Sequence, residues 1–139
     1  MVDNFFVVDT SVVGAWFIQE RFSESAARFR NAIVNGQVRV SCPDFLLLEV
    51  VNVLLWKDIL PTDIAAALTT LKEVDIDFIP LTSVDFEMLI KLARSQKLTS
   101  YDALYLAIAE HFDARLISAD GALLKAAGAR GVHVDDFES

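Results

Sequence analysis

The chain has 139 residues, 54% of them apolar and 23% charged, with 20 acids against 12 bases and a net charge of −8. That length suits one domain with a substantial core, and the apolar fraction excludes a disordered chain. The acidic balance argues against broad, nonspecific nucleic-acid binding, which needs a basic footprint, while leaving room for acids gathered at a metal site. The longest apolar stretch, Phe45 to Trp56, is broken by Glu49 and Asn52 and falls well short of the roughly 20 residues a bilayer span needs. No positive charge precedes the short apolar run near Met1, so no signal peptide is expected. A lone cysteine, Cys42, fits a reducing cytoplasm and reads as a small buried hydrophobe. The high apolar content also suggests an interface, such as that of a homodimer.

Short β-rich runs alternate with helical ones. Phe5 to Val8 predicts a buried strand, and Asp9-Thr10-Ser11 offers cap residues for a helix running through Gln19. Ser23 to Val34 predicts a second helix, ended by Asn35-Gly36. A strand follows over Gln37 to Ser41, with Pro43 suited to the first turn of a helix reaching about Lys57. Pro61 opens a helix to about Val74, and Ile76 to Ile79 forms a strand. Thr82 or Ser83 opens a helix to about Gln96, and Thr99 opens another to about Phe112. Arg115 to Ser118 is a strand, Asp120 to Ala127 a short helix, and Gly131 to Val134 a fifth strand. Strands separated by helices require crossovers, hence a parallel sheet covered on both faces. The expected architecture is a three-layer α/β/α single domain over residues 1–139, with a parallel sheet of four to five strands.

Four acids stand out. Glu49 interrupts an otherwise apolar helix, where an unpaired carboxylate costs several kcal/mol or takes up a proton. It must be paired with a base, lie at a notch in the surface, or hold a cation; Asn52, one helical turn on, is placed to hydrogen-bond it. Asp9 and Asp120 each follow a strand at the sheet edge where open α/β folds bind ligands. Asp102 heads the apolar run Ala103 to Ala109. Helix capping is an adequate explanation for Asp9, Asp102 and Asp120 taken singly, but not for Glu49. Clustered carboxylates raise one another's pKa unless a cation is present, and all-oxygen ligands favour Mg²⁺ or Mn²⁺. One or two such ions can activate water against a phosphodiester with no side-chain nucleophile.

At these positions the chain resembles PIN-domain ribonucleases, in particular the small VapC-type toxins. The resemblance rests on Val7-Val8-Asp9-Thr10-Ser11, Glu49 to Leu54 with Asn52, Ser100-Tyr101-Asp102-Ala103-Leu104-Tyr105-Leu106-Ala107, and Leu116-Ile117-Ser118-Ala119-Asp120. It implies Mg²⁺- or Mn²⁺-dependent cleavage of RNA, homodimerisation, and inhibition by a cognate antitoxin protein. It further implies that Asp9, Glu49, Asp102 and Asp120 bind the metal, supported by Thr10, Ser11, Asn52 and Ser118. Arg94, Lys97 and Arg21 are the candidate RNA contacts, although each taken alone reads more readily as an ordinary solvated cation. The acidic surface favours a narrow substrate, such as one structured RNA.

Two other classes compete. A PIN-like module that binds metal or a partner without turnover would carry the same acids. An aspartate-based phosphohydrolase would use Asp9 as nucleophile, but the second acid such sites place two residues on is here Ser11. No phosphate-binding glycine loop is present. His111 and His133 lack zinc-ligand spacing and read as surface or packing residues.

Overall fold

The computed structural model describes residues 1–138. Five parallel strands form one sheet: β1 (Phe5–Val8), β2 (Arg39–Pro43), β3 (Asp77–Ile79), β4 (Arg115–Ser118) and β5 (Gly131–His133), in the order β3-β2-β1-β4-β5. Seven helices connect and cover them: α1 (Thr10–Gly14), α2 (Ser23–Val34), α3 (Phe45–Trp56), α4 (Pro61–Glu73), α5 (Phe86–Ser95), α6 (Ser100–His111) and α7 (Gly121–Ala127). The expected three-layer α/β/α architecture is therefore the one observed.

Strand β1 explains why both faces need cover. All its residues are buried, and neighbouring side chains of a strand point to opposite faces. Phe6 meets Phe29 of α2 edge-on at 5.5 Å, and Phe137 closes the same cluster. Phe5 instead lies 5.5 Å from Phe112, just past α6, on the other face. Helix α6 packs between the sheet and α5, which explains why Ala103 through Ala109 are all buried. One contiguous core runs from Phe5 to Phe137 and takes in Cys42, whose thiol ionisation burial pushes far up. Among the described residues, no helix is long and apolar enough to cross a membrane.

Three boundaries differ from the sequence reading. Helix α1 ends at Gly14 rather than Gln19, because the Trp16 and Phe17 amides bond three residues back to Val13 and Gly14 and tighten the chain into a turn. That turn is pinned by Trp16 Nε1, which donates to the Ala26 carbonyl at 2.9 Å, and by Ser23 Oγ, which accepts from the Glu20 amide. Pro43 is the last residue of β2, in register with Ile79, and not the first turn of a helix. Helix α5 starts at Phe86, capped by Asp85, whose carboxylate accepts the Met88 amide; Ser83 lies in a preceding 3-10 turn (Leu81–Ser83). Thr99 caps α6 as expected, accepting the Asp102 amide at 3.2 Å.

The order of strands matters most for function. From β1 the chain runs outward to β2 and β3, then returns to place β4 on the other side of β1. The C-terminal ends of β1 and β4 thus flank the point where the winding reverses, which is where open α/β sheets form a ligand crevice. Asp9 and Asp120 leave the sheet there.

Candidate active site

Asp9 is 6% exposed and directly follows β1. Although it occupies the N-cap position of α1, its short contacts go to serines. Ser11 Oγ donates to Oδ1 at 2.6 Å, and the wholly buried Ser118 Oγ donates to Oδ2 at 2.8 Å. Each serine in turn accepts a backbone amide at 2.9 Å, Ser11 from Ala119 and Ser118 from Asp120. Two chains of amide, hydroxyl and carboxylate therefore converge on one side chain, their dipoles all pointing toward it. Even so, burial pushes the Asp9 carboxyl up to about 6, with the Asp120 charge adding to the effect and the two serine bonds opposing it.

Glu49 projects from α3 and is held differently. Thr10 Oγ1 donates to Oε1 at 3.0 Å, and the Tyr105 hydroxyl donates to the same oxygen. Thr10 and Tyr105 also touch each other, 2.9 Å apart. Burial raises the Glu49 pKa, helped by the Asp102 charge and opposed by the Tyr105 and Thr10 bonds. Tyr105 is 2% exposed, and burial followed by the Glu49 charge holds its ionisation far above the usual range, so it stays a donor.

Asp102, half-buried in the first turn of α6, has its pKa raised by burial and then by Asp120. Asp120 caps α7, accepting the Ala122 amide at 3.0 Å, while its charge acts on both Asp9 and Asp102. The electrostatic couplings thus form a chain: Asp9 to Asp120, Asp120 to Asp102, Asp102 to Glu49. Among the described residues, no Lys, Arg or His forms an ion pair with any of the four. Beside Glu49 opens a cleft of about 420 Å³, lined also by Thr10, Ser11, Asn52, Ile18, Glu20 and Phe22.

The PIN domain family model matches residues 6–129, the span from β1 through α7. The chain belongs to the PIN domain family. Solved structures repeat this PIN fold across nearly their whole length. PAE2754 from Pyrobaculum aerophilum superposes with a TM-score of 0.65 at 23% identity, covering 94% of this chain and 89% of that one. Mycobacterium tuberculosis VapC20, a sarcin-ricin-loop-cleaving toxin, gives 0.67 at 15% identity, covering 90% and 97%. FitAcB from Neisseria gonorrhoeae gives 0.65 at 12% identity, covering 95% and 99%. A search of curated proteins finds no match.

Within this PIN domain, the expected supporting residues divide. Ser11 and Ser118 bond Asp9, and Thr10 bonds Glu49. Asn52 lines the cleft, but Glu49 Oε1 takes its bonds from Thr10 and Tyr105 instead. Arg94 and Lys97 are exposed at the end of α5 and in the turn before α6, away from the cleft lining. Arg21 is exposed between Glu20 and Phe22, both of which line the cleft. His111 packs edge-on against Phe112 and His133 contacts Asp135, consistent with packing and surface roles.

Tyr105 was hidden in its sequence context, counted among the apolar residues of α6. The usable signal was chemical: it is the one hydroxyl in the run Ala103 to Ala109, and a buried tyrosine hydroxyl needs a partner.

The donor set suits a hard divalent cation. It is all oxygen, the Asp9, Glu49 and Asp102 carboxyls are raised by burial and by neighbouring acids, and among the described residues no side-chain cation pairs with the four. Among the described residues, no three His, Cys, Asp or Glu stand close enough to enclose an ion. Mg²⁺ does not require such a cage, since it keeps several waters and binds through one or two carboxylates plus phosphate oxygens.

Proposed function

We propose that this PIN domain is a Mg²⁺- or Mn²⁺-dependent endoribonuclease, the toxin of a VapC-type toxin–antitoxin pair. The observation that carries the reading is the uncompensated chain of carboxylates at the point where the sheet reverses its winding. Asp9 and Asp120 would hold one ion, with Glu49 and Asp102 able to share it or hold a second. When bound, the ion supplies Lewis acidity, which acidifies water and shields the charge of a phosphodiester. The residues of the chain do the rest. Ser11 and Ser118 fix the plane of the Asp9 carboxylate, and Thr10 and Tyr105 fix that of Glu49. Asp120 keeps its carboxylate near the sheet edge by capping α7.

RNA would enter along the open cleft, with Arg21 at its rim and Arg94 and Lys97 near the start of α6 as phosphate contacts. Few cations serve a strongly acidic surface, so we expect one structured RNA rather than bulk RNA as substrate. A cytoplasmic setting follows from that substrate. VapC20 is itself a toxin, which supports an antitoxin partner for this chain. Exposed Leu48, Leu55 and Trp56 on α3, with Leu60 beyond, and exposed Phe86, Ile90 and Tyr101 offer apolar area for an antitoxin or a second copy of the chain.

The test is cleavage of structured RNAs by antitoxin-free protein in Mg²⁺, Mn²⁺ or EDTA, with Asp9→Asn purified identically. Metal-dependent cleavage lost in the variant supports the proposal. Equal cleavage by both proteins overturns the site assignment. Metal binding without cleavage of any RNA supports a binding module instead.

A further inference from the structure

Glu49 has two carboxylate oxygens in unequal surroundings. Oε1 accepts from both Thr10 and Tyr105, which occupies its two lone pairs. Among the described residues, none donates a hydrogen bond to Oε2. Among the described residues no buried side-chain oxygen or nitrogen lacks a partner, so Oε2 must reach solvent at the cleft that Glu49 lines. The two donors also differ in kind. Thr10 comes from the first turn after β1, whereas Tyr105 rises from α6, buried on all sides and packed between the sheet and α5. A phenol on so fixed a helix has little freedom to follow the carboxylate; the carboxylate follows it.

We infer that Tyr105 is a positioning residue that, with Thr10, saturates Glu49 Oε1 and leaves Oε2 as the single oxygen Glu49 offers to a divalent cation. The inference rests on the proposed reading of Glu49 as a cation ligand. Hydrogen-bond partners of ligating carboxylates commonly govern metal affinity as strongly as tenfold to a hundredfold. Tyr105→Phe keeps the ring that fills the core and removes only the hydroxyl. Thr10→Val removes the second donor, and Thr10→Ser retains it.

The measurement is Mn²⁺ affinity by titration calorimetry on the RNA-free protein, with thermal unfolding confirming that each variant folds. Glu49→Gln and Tyr105→Phe should each weaken Mn²⁺ binding by about tenfold. The pair Glu49→Gln/Tyr105→Phe should bind no more weakly than Glu49→Gln alone, since Tyr105 acts only through that carboxylate. Thr10→Val should weaken binding and Thr10→Ser restore it, a comparison that stands even where Tyr105→Phe fails to fold. Wild-type affinity in Tyr105→Phe, or an equal loss in the presence and absence of Glu49, overturns the positioning role. Wild-type affinity in Glu49→Gln overturns the cation-ligand reading beneath it. In crystals soaked with Mn²⁺, one Glu49 contact through Oε2 is expected, and contacts from both oxygens overturn the single-oxygen assignment.

Discussion

Asp9 and Glu49 are both acids placed in apolar surroundings, and the fold treats them in opposite ways. Asp9 sits at the sheet edge with each oxygen bound by a serine that is itself anchored to a backbone amide. Glu49 sits on a helix at the cleft, with one oxygen doubly bound and the other facing solvent. The first takes one donor from the sheet itself, Ser118 at the end of β4, and one from α1, Ser11. The second takes both donors from helices, Thr10 of α1 and Tyr105 of α6, and leaves one oxygen open to solvent.

The largest test of this contrast is activity. Asp9→Asn should lower RNA cleavage by at least about a hundredfold, beyond the usual loss from a supporting residue, measured by single-turnover cleavage of a structured RNA. Next comes stability. Ser118→Ala strands an Asp9 oxygen and the Asp120 amide in the interior, and should cost about 2 kcal/mol in urea unfolding. Thr10→Val, where water can replace the lost hydroxyl, should cost less than about 1 kcal/mol. Equal losses would erase the distinction between the two acids.

The pH dependence is smaller and has a definite sign. Burial raises the folded-state pKa of Asp9 to about 6 from an ordinary 3.8, so the folded chain binds this proton more tightly than the unfolded one. The stabilising contribution is complete below about pH 4 and is lost as the pH rises through about 6. Asp9→Asn does not carry this loss. Relative to the metal-free wild type, it should therefore gain on the order of 2 kcal/mol between pH 4 and pH 7.5 in chemical unfolding. A flat difference would show that Asp9 is already ionised at low pH. The smallest effect belongs to Asn52: Asn52→Ala should change Mn²⁺ affinity less than about twofold, because Glu49 draws its bonds from elsewhere.

Much of this was legible in the residues. Buried runs such as Phe5 to Val8, spaced by helical segments, dictate a parallel sheet, and a sheet of that kind brings Asp9 and Asp120 to one edge. Glu49 was conspicuous because nothing local excused a carboxylate there. Local pattern could not reveal partners far away in sequence. Asn52 was the expected support for Glu49 because it lies one helical turn away, whereas the actual donors are Thr10 and Tyr105, brought in by the sheet and by α6. Helix ends were obscured for a similar reason: Trp16 turns the chain early to reach Ala26, and Asp85 competes successfully with Thr82 and Ser83 as a cap.

The strand order also governs when the site can exist. Ser118 and Asp9 are 109 residues apart in the sequence, and their bond requires β4 to dock on the side of β1 opposite β2. Contacts of such separation form late, once the intervening chain has been ordered. During synthesis the chain emerges from its N-terminus, and a domain folds as a unit. A nascent chain that has released β1 through α5 carries Asp9 and Glu49 but neither Ser118 nor Tyr105 to hold them. The ribosome making this protein therefore completes most of the chain before its acids are set in working order.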